Sequence, residues 1–369
     1  MPEIQDVFEK YGEDYCRIHS VSPEQGKVLR AITNCRTAKL GGHIDACLSC
    51  GYAKPSYNSC RNRHCPKCQA FSKERWIENQ KYDLLNIGYF HVVFTVPSEL
   101  NMLIYRHHKT MYGLMFRAVA ETLQELAADK KYLGASIGFT SVLHTWGQNL
   151  MFHPHIHCIV PAGGLTKTLQ WRNSRKKFFL PVKVLSRKFR GKFLAMLKQE
   201  EPELLLENNQ SLLDICYSKE WVVYCKPPFK DASCVVEYLG RYTHRVAISN
   251  NRILSVEDGK VLFKWRDYKG NNQWKVMTLT AEEFIRRFLM HVLPKGFMKI
   301  RHYGILGNRN KTERLNHCKL LTGTQIRDKE LLSAIDLLKQ ITGHDIGICP
   351  ACGQSRIEFY MNLPPPLSI

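Results

Sequence analysis

The order of apolar and polar positions divides the chain into stretches of different texture. Residues 4–33 carry helix formers with apolar positions on one face, and Ser22-Pro23-Glu24-Gln25 has the form of a capping box opening "KVLRAITNC". This predicts a helical segment that braces the cysteine-rich stretch after it. Beyond those cysteines, "SKERWIENQKYDLL" again has helix formers and few breakers, and reads as a connector. From Tyr89 to Pro97, "YFHVVFTVP" turns β-branched and aromatic and ends in proline, the texture of a buried strand. The stretch "KTMYGLMFRAVAETLQELAAD" then places Leu114, Val119, Leu123 and Leu126 at helical spacing, so a long helix should lie against a sheet with its methionines in the core. Two strand-like segments follow, "ASIGFTSVLHTWGQ" and "HPHIHCIVPAGG", close enough to be antiparallel neighbours, with Gly163-Gly164 ending the second.

In the second of these strands the alternation carries chemistry. His153, His155 and His157 share one face while Ile156 and Cys158 point to the other. A lone strand histidine is an ordinary core or surface residue. Two at this spacing can present imidazole nitrogens to one ion and leave positions open for an oxygen ligand, water and a phosphate. Further on, "DASCVVEYLGRYTHRVAIS" reads as a helix with Asp231 and Ser233 as N-caps and Val235, Val236 and Leu239 as its apolar stripe. Tyr238 and Tyr242 are four apart on it and face the same way. Such a pair is often packing, yet Arg241, His244 and Arg245 crowd the same stretch, which would favour a phenolate and attract phosphate. From Asn251 onward short strands joined at Asp258-Gly259 and Lys269-Gly270-Asn271 lead to a helix at "AEEFIRRFLMHVL". "KIRHYGILGNRNK", with Arg301, is then either a DNA-contact loop or a solvated turn.

Charge narrows the class of partner. Lys and Arg total 53 against 33 Asp and Glu in 369 residues, a formal +20 spread along the chain, which points to a polyanion. No apolar run approaches 18 residues and no cleavable signal is evident, so the expectation is a soluble cytoplasmic protein with no membrane partner. Fourteen cysteines in such a compartment are metal ligands or packed thiols rather than a disulfide framework. Cys47-x-x-Cys50 and Cys65-x-x-Cys68 are two knuckles in one short segment and predict one zinc site. Cys35, His43, Cys60 and His64 could assemble a second, or make hydrogen bonds around the first, or touch DNA. Lys54, Arg61, Arg63, Lys67, Lys73 and Arg75 interleave with Tyr52, Tyr57 and Phe71, a mixture suited to phosphate contact and base stacking. Cys349-Pro350-Ala351-Cys352-Gly353 is a third knuckle, which could bind zinc with His344 or Cys318, or close the C-terminus.

Taken together, "NRHCPKCQ", "HPHIHCIVPAGG", "EYLGRYTHRVAISNNRI" and "HYGILGNRN" resemble, over nearly the whole chain, the rolling-circle transposases of the insertion-sequence-91 family. These are HUH endonucleases of the two-tyrosine type with an N-terminal zinc-binding domain. The resemblance implies an α+β protein. A zinc-ribbon-like domain at 1–85 would precede an HUH catalytic domain with an RRM-like antiparallel sheet at 86–300, and 301–369 would form a C-terminal β/α extension. It further implies cleavage and rejoining of single-stranded DNA at transposon ends and target through a covalent 5′-phosphotyrosine. His155 and His157 would hold Mg²⁺ or Mn²⁺, with Gln148 as the expected third ligand and His153 and Glu237 behind it. Tyr242 would attack first and Tyr238 would serve the next cleavage. Arg61, Arg63, Lys67, Arg241, Arg245 and Arg301 are the expected DNA contacts. A related replication initiator or relaxase, and a zinc-dependent DNA-binding regulator without chemistry, are the rival readings; the second leaves the His155/His157 strand and the tyrosine pair idle.

Overall fold

The computed structural model describes the chain except residues 176–178, 207–209, 227–234, 236–237, 239, 241–242, 245, 269, 355 and 367–369. It is a mixed α/β structure with antiparallel sheets. In chain order the strands are β1 (Gly42–Cys47), β2 (Ala53–Tyr57), β3 (Tyr89–Thr95), β4 (Gly138–Trp146), β5 (Phe152–Pro161), β6 (Gly163–Leu165), β7 (Trp171–Asn173), β8 (Val223–Lys226), β9 (Ile253–Glu257), β10 (Lys260–Asp267), β11 (Gln273–Thr280), β12 (Ile300–Gly304) and β13 (Ile357–Leu363).

The largest sheet has the order β12-β4-β5-β3-β8. Period-two alternation gives it two unlike faces. Phe90, Val92 and Phe94 of β3, Phe139 and Leu143 of β4, and Ile156, Cys158 and Val160 of β5 point into one core with the His108–Ala128 and Val182–Glu200 helices. Met111, Leu114, Met115, Val119, Leu123 and Leu126 supply the helical side of that core, as their spacing predicts. Each fully buried side chain of this size contributes about 1.5–3 kcal/mol. The opposite face carries the histidines. Gly163 and Gly164 do not merely end β5, because they form the short β6–β7 hairpin, and a Cβ on Gly164 would collide with the Ser136 carbonyl oxygen.

The N-terminal helices, Ile4–Ile18 and Pro23–Thr33, form where predicted, and the second opens with the expected capping box, Ser22 Oγ accepting from the Gln25 amide at 3.3 Å. Their apolar faces are covered in part by a segment distant in the chain. Ile4, Val7, Phe8, Leu29 and Ile32 share one core with Phe263 of β10 and with Phe284 and Phe288 of the Ala281–Leu289 helix, where Phe8 meets Phe288 edge-on at 5.2 Å. Residues 253–289 pack with the N-terminus, β12 at 300–304 is an edge strand of the main sheet, and β13 pairs antiparallel with β1. Among the described residues no helix is long and apolar enough to cross a membrane.

His291, completely buried just beyond the Ala281–Leu289 helix, ties that helix to the β4–β5 turn. It donates from Nε2 to the Leu150 carbonyl at 3.0 Å and accepts at Nδ1 from the Thr145 hydroxyl at 3.2 Å. Burial pushes its pKa down to about 4. Between pH 4 and the ordinary imidazole value of about 6.5 the unfolded chain binds a proton that the folded chain refuses, so stability falls as pH is lowered through this window. The loss attributable to His291 is on the order of 3 kcal/mol. Thermal unfolding of the wild type and His291→Gln from pH 8 to pH 4 should show a steeper decline for the wild type; parallel curves would refute the assignment.

Candidate active site and cysteine clusters

The antiparallel register of β4 and β5 sets His144 opposite His155 and Val142 opposite His157. Paired residues of an antiparallel ladder share a face, and next neighbours along a strand on that face are two apart. Three imidazoles consequently converge: one ring nitrogen from each of His144, His155 and His157 lies within 4.8 Å of the others. His155 donates from Nδ1 to the His153 carbonyl at 2.7 Å, which makes Nε2 the nitrogen that carries the ring's lone pair. His144 stacks on Trp146 with ring centroids 4.7 Å apart, a contact that holds the ring in place.

Beside this cluster runs a chain of hydrogen bonds. His157 Nδ1 lies 2.8 Å from Nε2 of His91 on β3, and Nδ1 of His91 lies 3.0 Å from Oη of Tyr238. The His91 and His157 rings are nearly parallel, 7° apart. Burial pushes His91 down to about 3, so the ring is neutral and has one proton to share between two partners. Val235, Tyr238, Gly240 and Thr243 are helical, and Val235 and Tyr238 pack on Ile159 of β5 and Tyr89 of β3. A Cβ on Gly240 would collide with Ile77 Cδ1, so this glycine permits close approach to the Pro66–Lys81 helix.

Among the described residues, eight cysteines form two groups of four. In the first, Cys35 and Cys65 each belong to the N-terminal core, with sulfur separations of 3.6 Å for Cys35–Cys68, 3.6 Å for Cys60–Cys68 and 3.7 Å for Cys65–Cys35. A tetrahedral ion with metal–sulfur bonds of about 2.3 Å has sulfur–sulfur edges of about 3.8 Å, so the donor set fits zinc. The hydrogen bond with Cys60 holds the Cys68 thiol far below the thiol range and pushes Cys65 far above it. The second group is Cys47, Cys50, Cys349 and Cys352.

Two family models match the sequence, one described as "Putative transposase" over residues 138–314 and one described as "Transposase zinc-binding domain" over residues 7–96. A protein of Sinorhizobium fredii (strain NBRC 101917 / NGR234) named "Putative transposase y4qJ" is 47% identical over 374 residues, covering 96% of this chain and 94% of its own. The chain belongs to the insertion-sequence-91 transposase family. A second relative, "Transposase for insertion sequence element IS801" of Pseudomonas savastanoi pv. phaseolicola, is 30% identical over 288 residues, 74% of this transposase and 68% of that one. No solved structure matches. The transposase thus carries a zinc-binding domain, and its cysteine clusters have the donors and spacing of structural zinc.

Several residues of this transposase stand elsewhere than the sequence suggests. The knuckles Cys47/Cys50 and Cys65/Cys68 do not share a site, because each is completed from outside its neighbour: Cys65/Cys68 by Cys35 and Cys60, Cys47/Cys50 by Cys349 and Cys352. His43 and His64 belong to neither cluster; His43 pairs with Asp45 at 3.1 Å, and half-buried His64, its pKa pushed down to about 3 by desolvation, accepts from the Leu293 amide at 3.4 Å. Cys318 lies in a small core with Leu85 and Leu315, and His344 likewise stays outside the clusters. The Gln148 amide donates to the Tyr268 hydroxyl at 3.3 Å, and the imidazole that joins His155 and His157 is His144. His153 is exposed, and its carbonyl accepts from Nδ1 of His155. Lys67 is engaged by Glu3 at 2.5 Å and Gln5 at 2.7 Å, Arg63 by the Phe297 carbonyl at 2.7 Å, and Arg301 lies 4.2 Å over the Phe116 ring. These three cations hold the fold together, whereas Arg61 is exposed. Tyr242, Arg241, Arg245 and Glu237 lie outside the described residues.

Proposed function

We propose that this transposase cleaves and rejoins single-stranded DNA at element ends through a tyrosine, with a divalent ion held by His144, His155 and His157 in an HUH-type site. The observation that carries the reading is the hydrogen-bond chain from Tyr238 through His91 to His157. Three imidazoles with remaining positions open suit a borderline ion better than a hard one, which favours Mn²⁺ over Mg²⁺. Bound there, the ion would polarise the scissile phosphate and offset the charge that develops on it.

The protein's own part follows from proton positions. When Nε2 of His157 serves as a ligand, its ring proton sits on Nδ1 and is donated to Nε2 of His91. The one proton of neutral His91 then sits on Nδ1 and is donated to Oη of Tyr238. A phenol oxygen that accepts this bond is favoured as phenolate, the nucleophilic form. The phenolate oxygen bonds to phosphorus as the phosphorus to 3′-oxygen bond breaks. The phenol's proton passes to water as the phenolate forms, and the 3′-oxygen leaves with the electron pair and takes a proton back from water, giving a 5′-phosphotyrosine and a free 3′-OH. Attack by a 3′-OH on that ester reverses the step without ATP. This assigns first attack to Tyr238 and leaves Tyr242 for the following cleavage, the reverse of the order expected from the sequence.

Incubation of the full chain with labelled single-stranded DNA from the element ends and Mn²⁺, followed by a denaturing gel, tests the reading. We expect a covalent adduct that Tyr238→Phe reduces by about 10³-fold or more and Tyr242→Phe reduces less. Loss in Tyr242→Phe alone would restore the other order. No adduct, with tight binding of the same DNA, would replace the nickase by a DNA-binding regulator.

A further inference from the structure

We propose that Cys47, Cys50, Cys349 and Cys352 form a second zinc site, a metal clasp that fastens the C-terminal segment to the N-terminal zinc-binding module. The matched zinc-binding domain ends at residue 96 and so contains only half of this ligand set. The other half comes from about 300 residues later in the chain.

Four features bring the halves together. The sulfur of Cys47 lies 3.8 Å from that of Cys352, and that of Cys50 lies 3.7 Å from that of Cys349, the edge lengths of a tetrahedral tetrathiolate site. The two knuckles have the same local build. Each is Cys-x-x-Cys-Gly, each closes with the glycine amide donating to the first cysteine's carbonyl (Gly51 to Cys47 at 3.0 Å, Gly353 to Cys349 at 2.9 Å), and each glycine has positive φ, 72° and 67°. A left-handed turn at that position favours glycine and turns the chain back past the ligands. The first cysteine of each knuckle, Cys47 at 1% exposure and Cys349 at 0%, is buried in the joint. Finally, β1 runs into the first knuckle at Cys47 and β13 runs out of the second, and the two strands pair from Gly42↔Leu363 to Cys47↔Ile357.

The strand pairing alone is a weak fastening. Beyond the knuckle β13 is largely exposed, Phe359 and Tyr360 at 61% and 65%, and a short ladder without a buried face is marginal in water. Four thiolates on one ion supply what the ladder lacks, and closing a loop of some 300 residues adds only slowly to the entropic cost. The clasp therefore makes the position of β13 conditional on metal.

The test counts ions by native mass spectrometry of the full chain purified with zinc, in a His155→Ala background that disables the histidine site and serves as the wild-type reference for this count. Two ions per chain are expected. Cys47→Ser/Cys50→Ser and Cys349→Ser/Cys352→Ser should each retain one, and the combined quadruple variant should also retain one, because both pairs serve the same ion. Amide exchange should rise in residues 357–363 of the Cys349→Ser/Cys352→Ser variant and stay unchanged in residues 4–33. One ion in the wild type, two ions in the Cys349→Ser/Cys352→Ser variant, or none in the quadruple variant would overturn the clasp. Should a variant fold poorly, Co²⁺ titration of the wild type gives an independent count: two equivalents with thiolate-to-metal absorption support the clasp, and one overturns it.

Discussion

His144→Ala should abolish metal-dependent adduct formation while Gln148→Ala leaves it within about threefold of wild type. The ring of His144 is one of three that converge on a single point, and it faces His155 directly across the β4–β5 ladder. Removing one ligand of three lowers affinity for the ion and misplaces it for whatever remains bound. A loss of about 4 kcal/mol in transition-state stabilisation, within the several kcal/mol a catalytic ion supplies, corresponds to about 10³-fold in rate. Gln148 sits at the turn and reaches Tyr268 instead. Mn²⁺ affinity, measured separately by titration calorimetry, should fall in the His144 variant and stay constant in the Gln148 variant. Equal activities for the two would remove His144 from the site. Because His144 is buried, unchanged thermal unfolding of the apo-protein is the control that separates ligand loss from misfolding.

Cys65→Ser should unfold far more than the zinc-binding module. Cys35, Cys65 and Cys68 lie in the same core as Phe8, Ile32, Phe263 and Phe284, so the ion they would hold nails together the N-terminal helices, the β9–β10–β11 sheet and the Ala281–Leu289 helix. A structural zinc of this kind contributes apparent binding free energy of about 10–16 kcal/mol, comparable with the whole stability of a domain. Amide exchange should rise together in residues 4–33 and 253–289, and strong chelators should reproduce the effect in the wild type. Exchange confined to residues 35–68 would show that this core stands without the metal. The contrast with the Cys349→Ser/Cys352→Ser variant, in which only the last strand is expected to loosen, separates the two clusters by consequence as well as by ligand.

Local patterns were readable from the chain. The capping box at Ser22, the long helix with Leu114 and Leu123 inward, and the antiparallel neighbours β4 and β5 all depend on interactions within a few residues or on a period of 2 or 3.6. The same alternation put His155 and His157 on one face. The family resemblance, too, rested on short motifs that keep their order.

What the chain alone did not determine is which distant pieces meet. His144 occupies a strand the sequence located, but only the register, with its irregularity between His144 and Trp146, sets it opposite His155. His91 looked like one more residue of a buried strand until β3 brought it between His157 and Tyr238. The cysteine pairing went wrong for a related reason: two knuckles close in sequence invite one site, although their glycines already differed, since Cys50 and Cys352 are followed by glycine and Cys68 by Gln69. Secondary structure is decided by local sterics and periodicity, which sequence carries openly. Register, ligand sets and the joining of residues 4–33 to 253–289 are decided by burial between segments hundreds of residues apart, and only the tertiary structure selects those contacts.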